Sequence, residues 1–275
     1  MVTLRQTLKG KLTEKEFSYL RTAFDIVGDI AIIEIPDELV KKEKVIANAL
    51  LVLLKNVKVV CKKAGMHEGV FRTQKMKVLA GERRKETVHK ENDVRVKIDI
   101  EKVYFSSRLS TERKRIYEQV KPNENVLVMF SGCGIYPLVI GRNSKAKVVY
   151  GIEINPDAHR LAEESVKLNK LESKIKLFNG DVKKVIPKLN KKFDRIVMPL
   201  PKSAEDFLDD ALVCSKKNTM VHFYDFLDEK EFDKAHDKIN KACKRNKRKF
   251  KILRTVKCGQ FSPGVFRICV DFRIG

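Results

Sequence analysis

Glu153 closes an apolar run, Val148–Ile152, about 20 residues after the small-residue turn Ser131-Gly132-Cys133-Gly134. An acid at that distance can accept from both hydroxyls of a ribose, and glycines let the backbone approach a ligand without a Cβ in the way. The turn reads G-x-G, with Pro137 at the place of a third glycine, which favours an adenosine-type ligand over the pyrophosphate of a dinucleotide. Two more groups end apolar runs: Asp181 follows Ile175–Phe178, and Pro199-Leu200-Pro201 follows Arg195–Met198.

These groups work together only if their strands end on one side of a sheet. Val126–Phe130 and Val148–Ile152 are short continuous apolar runs, the mark of strands buried on both faces. With a short helix over Ile135–Ile140 they make a βαβ unit of an open parallel sheet, which binds ligands at the carboxyl ends of its strands. Downstream, the pattern predicts a helix over Pro156–Leu168 with Pro156 at its start. Strands follow at 175–178, 195–198 and 220–223, with helices at 204–212 and 229–247. Lys251–Val256 and Val265–Phe272 read as final strands. The last has no helix after it, so an antiparallel hairpin is expected to close the sheet.

Upstream, Glu14–Ala23 suits a short helix, and Phe24–Ile35 reads as paired or bulged strands around Gly28-Asp29. A helix over Asp37–Lys55, a strand at Val57–Cys61 and alternating strands at Glu68–Leu79 and Thr87–Ile100 complete a small α+β domain. Lys102–Ser107 is a connector into a helix from Ser110, a candidate cap, to about Val120. The division expected is a leader over 1–22, a small α+β domain over 23–106 and a Rossmann-like α/β domain over 107–275.

The 275 residues are 43% hydrophobic, enough for a substantial core, and carry a formal net charge of +22. The excess is spread along the chain, with its densest run at Lys244–Lys251, and such a field attracts polyanions. The six cysteines form no C-x-x-C and no Cys/His cluster with zinc spacing, so no metal is expected and the thiols read as free and buried. With no signal peptide and no long apolar segment, a soluble cytoplasmic protein is expected.

The convergence of Gly132, Gly134, Glu153, Asp181 and the prolyl turn is the plan of a class I S-adenosylmethionine methyltransferase. The chain resembles, more narrowly, the archaeal and eukaryotic tRNA (guanine-N1)-methyltransferase family that modifies the guanine 3′ of the anticodon, at position 37. The resemblance rests on FDIVGDIAIIEIP, GVFRT, ETVHK, KVYFSSRLSTER, the glycine-turn stretch, MPLPKSAEDFL, VHFYDF and SPGVFRICVDF, in family order from about residue 20 to the end.

The resemblance implies S-adenosylmethionine as cofactor, tRNA engaged at its anticodon arm as partner, and a monomer with no membrane association. It gives Glu112 the role of general base toward the guanine ring nitrogen, and Arg72 that of stabilising the charge that develops on the neighbouring oxygen. Pro199 and Pro201 frame the target base. Tyr104, Arg108, Phe130, Gly132, Gly134, Glu153, Asn155 and Asp181 fall to the cofactor, and Arg113 and Lys202 to the substrate. Three departures stand out. Val128 occupies a place where many members carry an acid, Pro199 stands where some have Asn, and, with about 20 residues before the α+β domain, the extra domain that touches the tRNA elbow is not expected. The neighbouring chemistries are aminocarboxypropyl transfer from the same cofactor and methylation of a tricyclic guanosine precursor at the same position. A member of another class would bind RNA without catalysis.

Overall fold

The computed structural model describes residues 3–65 and 69–275. It divides into two compact units, Met1–Lys90 with Arg95–Ser107, and Glu91–Val94 with Arg108–Gly275. Among the described residues, no helix is long and apolar enough to cross a membrane.

The first unit opens with two short helices, α1 (Leu4–Leu8) and α2 (Glu14–Tyr19), each started by a threonine in a reciprocal capping box. Leu4, Leu8, Leu12 and Leu20 enter the same core as α3 (Glu43–Leu53), where Ile46, Ala47 and Leu50 are buried at helical spacing. Full burial of a leucine is worth about 1.5–3 kcal/mol, so these short helices are held by packing more than by propensity. Strands β1 (Phe24–Val27), β2 (Ile30–Ile33), β3 (Val59–Lys63) and β4 (Met76–Gly81) pair in that order, with β2 and β3 parallel on either side of α3. Gly28 turns β1 into β2 at φ +57°, where a Cβ would lie 2.2 Å from Thr87 Oγ1. Its neighbour Asp29 accepts a two-pronged pair from Arg84, which brings the Asp29 pKa down to about 2. The strand expected over Glu68–Leu79 is shorter: residues 69–75 are turn and bridge, and Glu68 lies outside the described residues. The single strand expected over Thr87–Ile100 is two, β5 (Glu86–Glu91) and β6 (Val94–Asp99). Between them Asn92 and Asp93 take φ +43° and +59°, as a tight hairpin turn requires.

The second unit starts with α4 (Ser110–Glu118). Ser110 is its first residue and not its cap: Leu109 stands at the cap position and makes no side-chain cap bond. Then follow β7 (Asn125–Val128), α5 (Ile135–Asn143), β8 (Val148–Glu153), α6 (Pro156–Leu168), β9 (Ile175–Asn179), α7 (Val182–Leu189), β10 (Phe193–Met198), α8 (Leu208–Val213), β11 (Ser215–Asp228), α9 (Asp233–Arg245), β12 (Phe250–Ser262) and β13 (Val265–Ile274). The sheet order is β12-β13-β11-β10-β7-β8-β9, parallel from β11 to β9, with β13 and β12 antiparallel at the other edge. This is the Rossmann-like α/β class expected, closed by the expected hairpin. The chain moves outward from β7 to β8 and β9, then returns to β10 on the other side of β7, so β7 and β10 flank the switch point where such sheets bind ligands. Helix α7 is not foreseen in the sequence reading. Parallel strands β9 and β10 need a crossover, and α7 supplies it with Val182 and Ile186 buried one turn apart. Strand β11 is also much longer than the expected 220–223, because β13 pairs with it from Met220 to Asp228.

Candidate active site

The glycine turn and Glu153 meet at the carboxyl ends of β7 and β8. Gly132 N–H donates to Glu153 Oε2 at 2.7 Å, and Asn155 N–H donates to Oε1 at 2.8 Å. Burial raises the Glu153 pKa, and these bonds offset it only in part. A carboxylate has about four lone-pair directions, so two backbone bonds fix its orientation and leave acceptor capacity for two hydroxyls. Gly134 has φ +82°, and a Cβ there would stand 2.9 Å from Ala162 Cβ, so glycine lets α5 begin hard against α6. Asn155 caps α6, its Oδ1 accepting from Asp157 N–H at 3.0 Å. Asp181 caps α7 through Lys183 N–H at 2.9 Å. The Asn179 amide and Gly180 N–H both donate to the Glu153 carbonyl at 2.8 Å, tying the ends of β8 and β9 together. Phe130 lies edge-on to Phe207, ring centroids 4.9 Å apart. After β10, Leu200 N–H bonds back to Met198 at 2.8 Å, and Ala204 N–H to Leu200 at 2.9 Å, which curls Pro199–Pro201 into a tight turn with Pro201 buried and Lys202 exposed. Val128 is fully buried in the sheet, paired with Val197 and Gly151.

Helix α4 is unusual in burying charge. Glu112, Arg113 and Ile116 form its inner face. Glu112 is 5% exposed, and its carboxylate takes the fork of Arg115, Nε to Oε2 and Nη2 to Oε1, both at 2.7 Å. Tyr224 OH donates to the same Oε1 at 2.5 Å. Arg113, expected at the substrate, is instead 2% exposed and forked onto Glu91. The reason is electrostatic: Glu91, at the turn end of β5 and itself buried, needs a counter-charge, and Arg113 supplies it. Arg108 is exposed just before α4. Tyr104 and Arg72 belong to the first unit. Tyr104 is 39% exposed, and Arg72 sits at φ +51°, a left-handed conformation uncommon for a residue with a Cβ.

A family model described as the TRM5/TYW2 methyltransferase domain matches residues 87–253, and one described as the TYW2 N-terminal domain matches residues 4–84. The chain belongs to the TRM5/TYW2 methyltransferase family. It is 38% identical to the tRNA (guanine(37)-N(1))-methyltransferase Trm5b of Pyrococcus abyssi, over 93% of this chain and 76% of that one. It is 33% identical to the tRNA 4-demethylwyosine(37)-methyltransferase Taw21 of Saccharolobus solfataricus, over 98% and 99%. Among solved structures, the complex of aTrm5 and tRNALeu superposes with TM-score 0.86 at 33% identity, covering 100% of this chain and 78% of that one. Methanocaldococcus jannaschii Trm5 in complex with adenosine superposes with TM-score 0.82 at 34% identity, covering 99% and 78%.

In this member of the TRM5/TYW2 family, sequence reasoning missed the residues behind Glu112. Arg115 Nη1 reaches Asp271 Oδ2 at 2.6 Å, Asp271 Oδ1 meets His222 Nδ1 at 2.6 Å, and His222 Nε2 meets Arg195 Nη1 at 2.7 Å. Arg195 ends the chain of bonds on Glu124 at 2.7 Å. A guanidinium only donates, so His222 Nε2 must accept and Nδ1–H must donate to Asp271. Burial lowers the His222 pKa, opposed by Asp271, and holds the ring neutral. The only hint of this chain in the sequence is the polar lettering of VHFYDF and CVDF inside otherwise apolar strands. His222, Cys269 and Asp271 also bring ligand atoms within 4.8 Å of one another. Asp271 is already paired with Arg115 and Arg254, and His222 with Arg195, and those positive charges oppose a cation there.

Proposed function

We propose that this chain transfers the methyl group of S-adenosylmethionine to the N1 nitrogen of guanine 37 in tRNA. The observation that carries the reading is the Glu153 carboxylate, held by two backbone N–H groups beside the glycine turn at the switch point, in a chain 38% identical to a tRNA (guanine(37)-N(1))-methyltransferase. Glu153 accepts from the ribose hydroxyls, and Asp181 from the adenine amine. Phe130, Gly132, Gly134, Asn155, Tyr104 and Arg108 complete the cofactor set, with Asn155 acting by capping α6 and aiming its N–H at Glu153. S-adenosylmethionine, when bound, supplies a methyl group on a positively charged sulfur.

Guanine N1 carries a proton at neutral pH, so its lone pair becomes a nucleophile only as that proton leaves. Glu112 takes the proton, and Arg72 stabilises the negative charge that grows on the neighbouring oxygen. A base stacked in an RNA loop must turn out to be reached, and Pro199–Pro201 frames it. Arg113 serves substrate binding indirectly, by fixing α4 through Glu91, while exposed Lys202 is placed to meet phosphate. The partner is the anticodon arm, drawn by the +22 charge to the 23–106 domain and to the basic run at Lys244–Lys251.

The decisive experiment incubates the protein with S-adenosylmethionine and an unmodified tRNA transcript, then weighs the nucleoside from position 37. A methylguanosine mass is expected. An aminocarboxypropyl adduct, or reaction only on a tricyclic precursor, would replace this reading with one of the neighbouring chemistries. The affinity for tRNA should fall steeply with salt as phosphate counterions are released, and a salt-independent affinity would remove the polyanion argument.

A further inference from the structure

We infer that Arg115 and Tyr224 are positioning residues for the methyl-transfer base, fixing the Glu112 carboxylate from two sides. The inference rests on Glu112 being that base. A glutamate on the first turn of a helix has several rotamers, and a base must hold one of them against its proton donor. Arg115 lies one turn along α4, on the same face, and its planar fork matches both carboxylate oxygens. Tyr224 reaches Oε1 from β11 and receives a bond from Tyr136 OH at 3.1 Å, so its hydroxyl is itself aimed.

Arg115 is not left to wander. Asp271 holds its remaining arm, and Asp271 is backed by His222, Arg195 and Arg254. Three carboxylates, Glu112, Asp271 and Glu124, are thus matched by three guanidiniums, Arg115, Arg195 and Arg254, with neutral His222 between Asp271 and Arg195. That neutrality lets a charged base stay buried. The groups around Glu112 are Arg115 on α4, Tyr136 on α5, Tyr224 on β11, Cys258 on β12 and Cys269 on β13, with Asp271 on the other side of Arg115. Burial, with the Glu112 charge behind it, pushes the Tyr136, Tyr224, Cys258 and Cys269 pKa values up, so all four stay protonated. Cys258 turns its thiol to the Val256 carbonyl at 3.4 Å.

The test is single-turnover methylation of tRNA at saturating cofactor from pH 6 to 9, in Tyr224→Phe, Arg115→Lys, Glu112→Gln and Tyr224→Phe/Glu112→Gln. Tyr224→Phe removes one hydroxyl, and Arg115→Lys keeps the charge but not the fork. Each should slow the step about 10- to 100-fold, with cofactor and tRNA affinity retained. The acid limb of the Tyr224→Phe rate profile should move to higher pH, because a carboxylate that loses a donor is more easily protonated. The double variant should be no slower than Glu112→Gln alone, since the hydroxyl acts through that carboxylate. A wild-type rate and profile in Tyr224→Phe, or additive losses in the double variant, would overturn the positioning role while leaving the base assignment standing. A wild-type rate in Glu112→Gln would overturn both.

Discussion

Glu153 and Glu112 are two carboxylates of one unit, and the protein grips them by different means. At the end of β8, Glu153 is held by the N–H groups of Gly132 and Asn155, donors that every amino acid except proline brings. Inside α4, Glu112 is held by the side chains of Arg115 and Tyr224, with Asp271, His222 and Arg195 behind them. The first grip follows from local chain geometry: a left-handed glycine, a strand end and a helix cap. It tolerates change at most neighbouring positions. The second joins α4, β10, β11 and β13, and each member leaves a buried charge or hydroxyl unpaired when removed. The hold on Glu153 therefore depends on backbone conformation, and the hold on Glu112 on particular side chains.

The comparison breaks most visibly at Glu112. Glu112→Gln should lower the single-turnover methylation rate by about 10²–10⁴-fold with cofactor affinity unchanged. A wild-type rate, with chemistry shown to be rate-limiting, would make Glu112 merely an anchor of α4. Next in size is the buried pair beside it. Glu91→Ala takes away the buried carboxylate onto which Arg113 is forked and should cost about 3–5 kcal/mol in denaturant unfolding. A loss below about 1 kcal/mol would mean that Arg113 finds water or another partner.

Glu153→Ala probes the backbone-held carboxylate. Two ribose bonds at roughly 1.5–3 kcal/mol each should vanish from S-adenosylmethionine binding, with tRNA affinity nearly intact. Unchanged calorimetric affinity would reduce Glu153 to a strand-end residue. The smallest effect is one of pH. His222 has its pKa lowered by burial from 6.5, so the unfolded chain binds the proton more readily. Its contribution to stability is then complete above pH 6.5 and declines as pH falls below it. Thermal unfolding should show that decline in the wild type and lose it in His222→Gln; identical acid limbs in the two would assign the decline to other groups.

Much of this was legible in the chain of letters. Continuous apolar runs ending in Gly132, Glu153 and Pro199 specify parallel strands and the side on which they end, because period and turn chemistry are local. The Gly28-Asp29 hairpin, the Pro156 helix start and the closing β12–β13 hairpin are local for the same reason. Helix α7 escaped the pattern because Pro187 reads as a breaker; it removes one backbone bond, and the helix ends two residues later. The Asn92-Asp93 turn escaped because strand-like alternation runs through it.

What the sequence determined by itself is the sheet, the glycine turn and the identity of the acids that end its strands. Those depend on hydrophobic period and on backbone sterics, which act over a few residues. Only the tertiary structure decided what each acid does with its charge. Glu112 meets Tyr224 across 112 positions of chain, and Arg115 meets Asp271 across 156. A buried charge takes whichever partner the packed strands bring within 3 Å or so, and that choice is written in the register of β11 against β13.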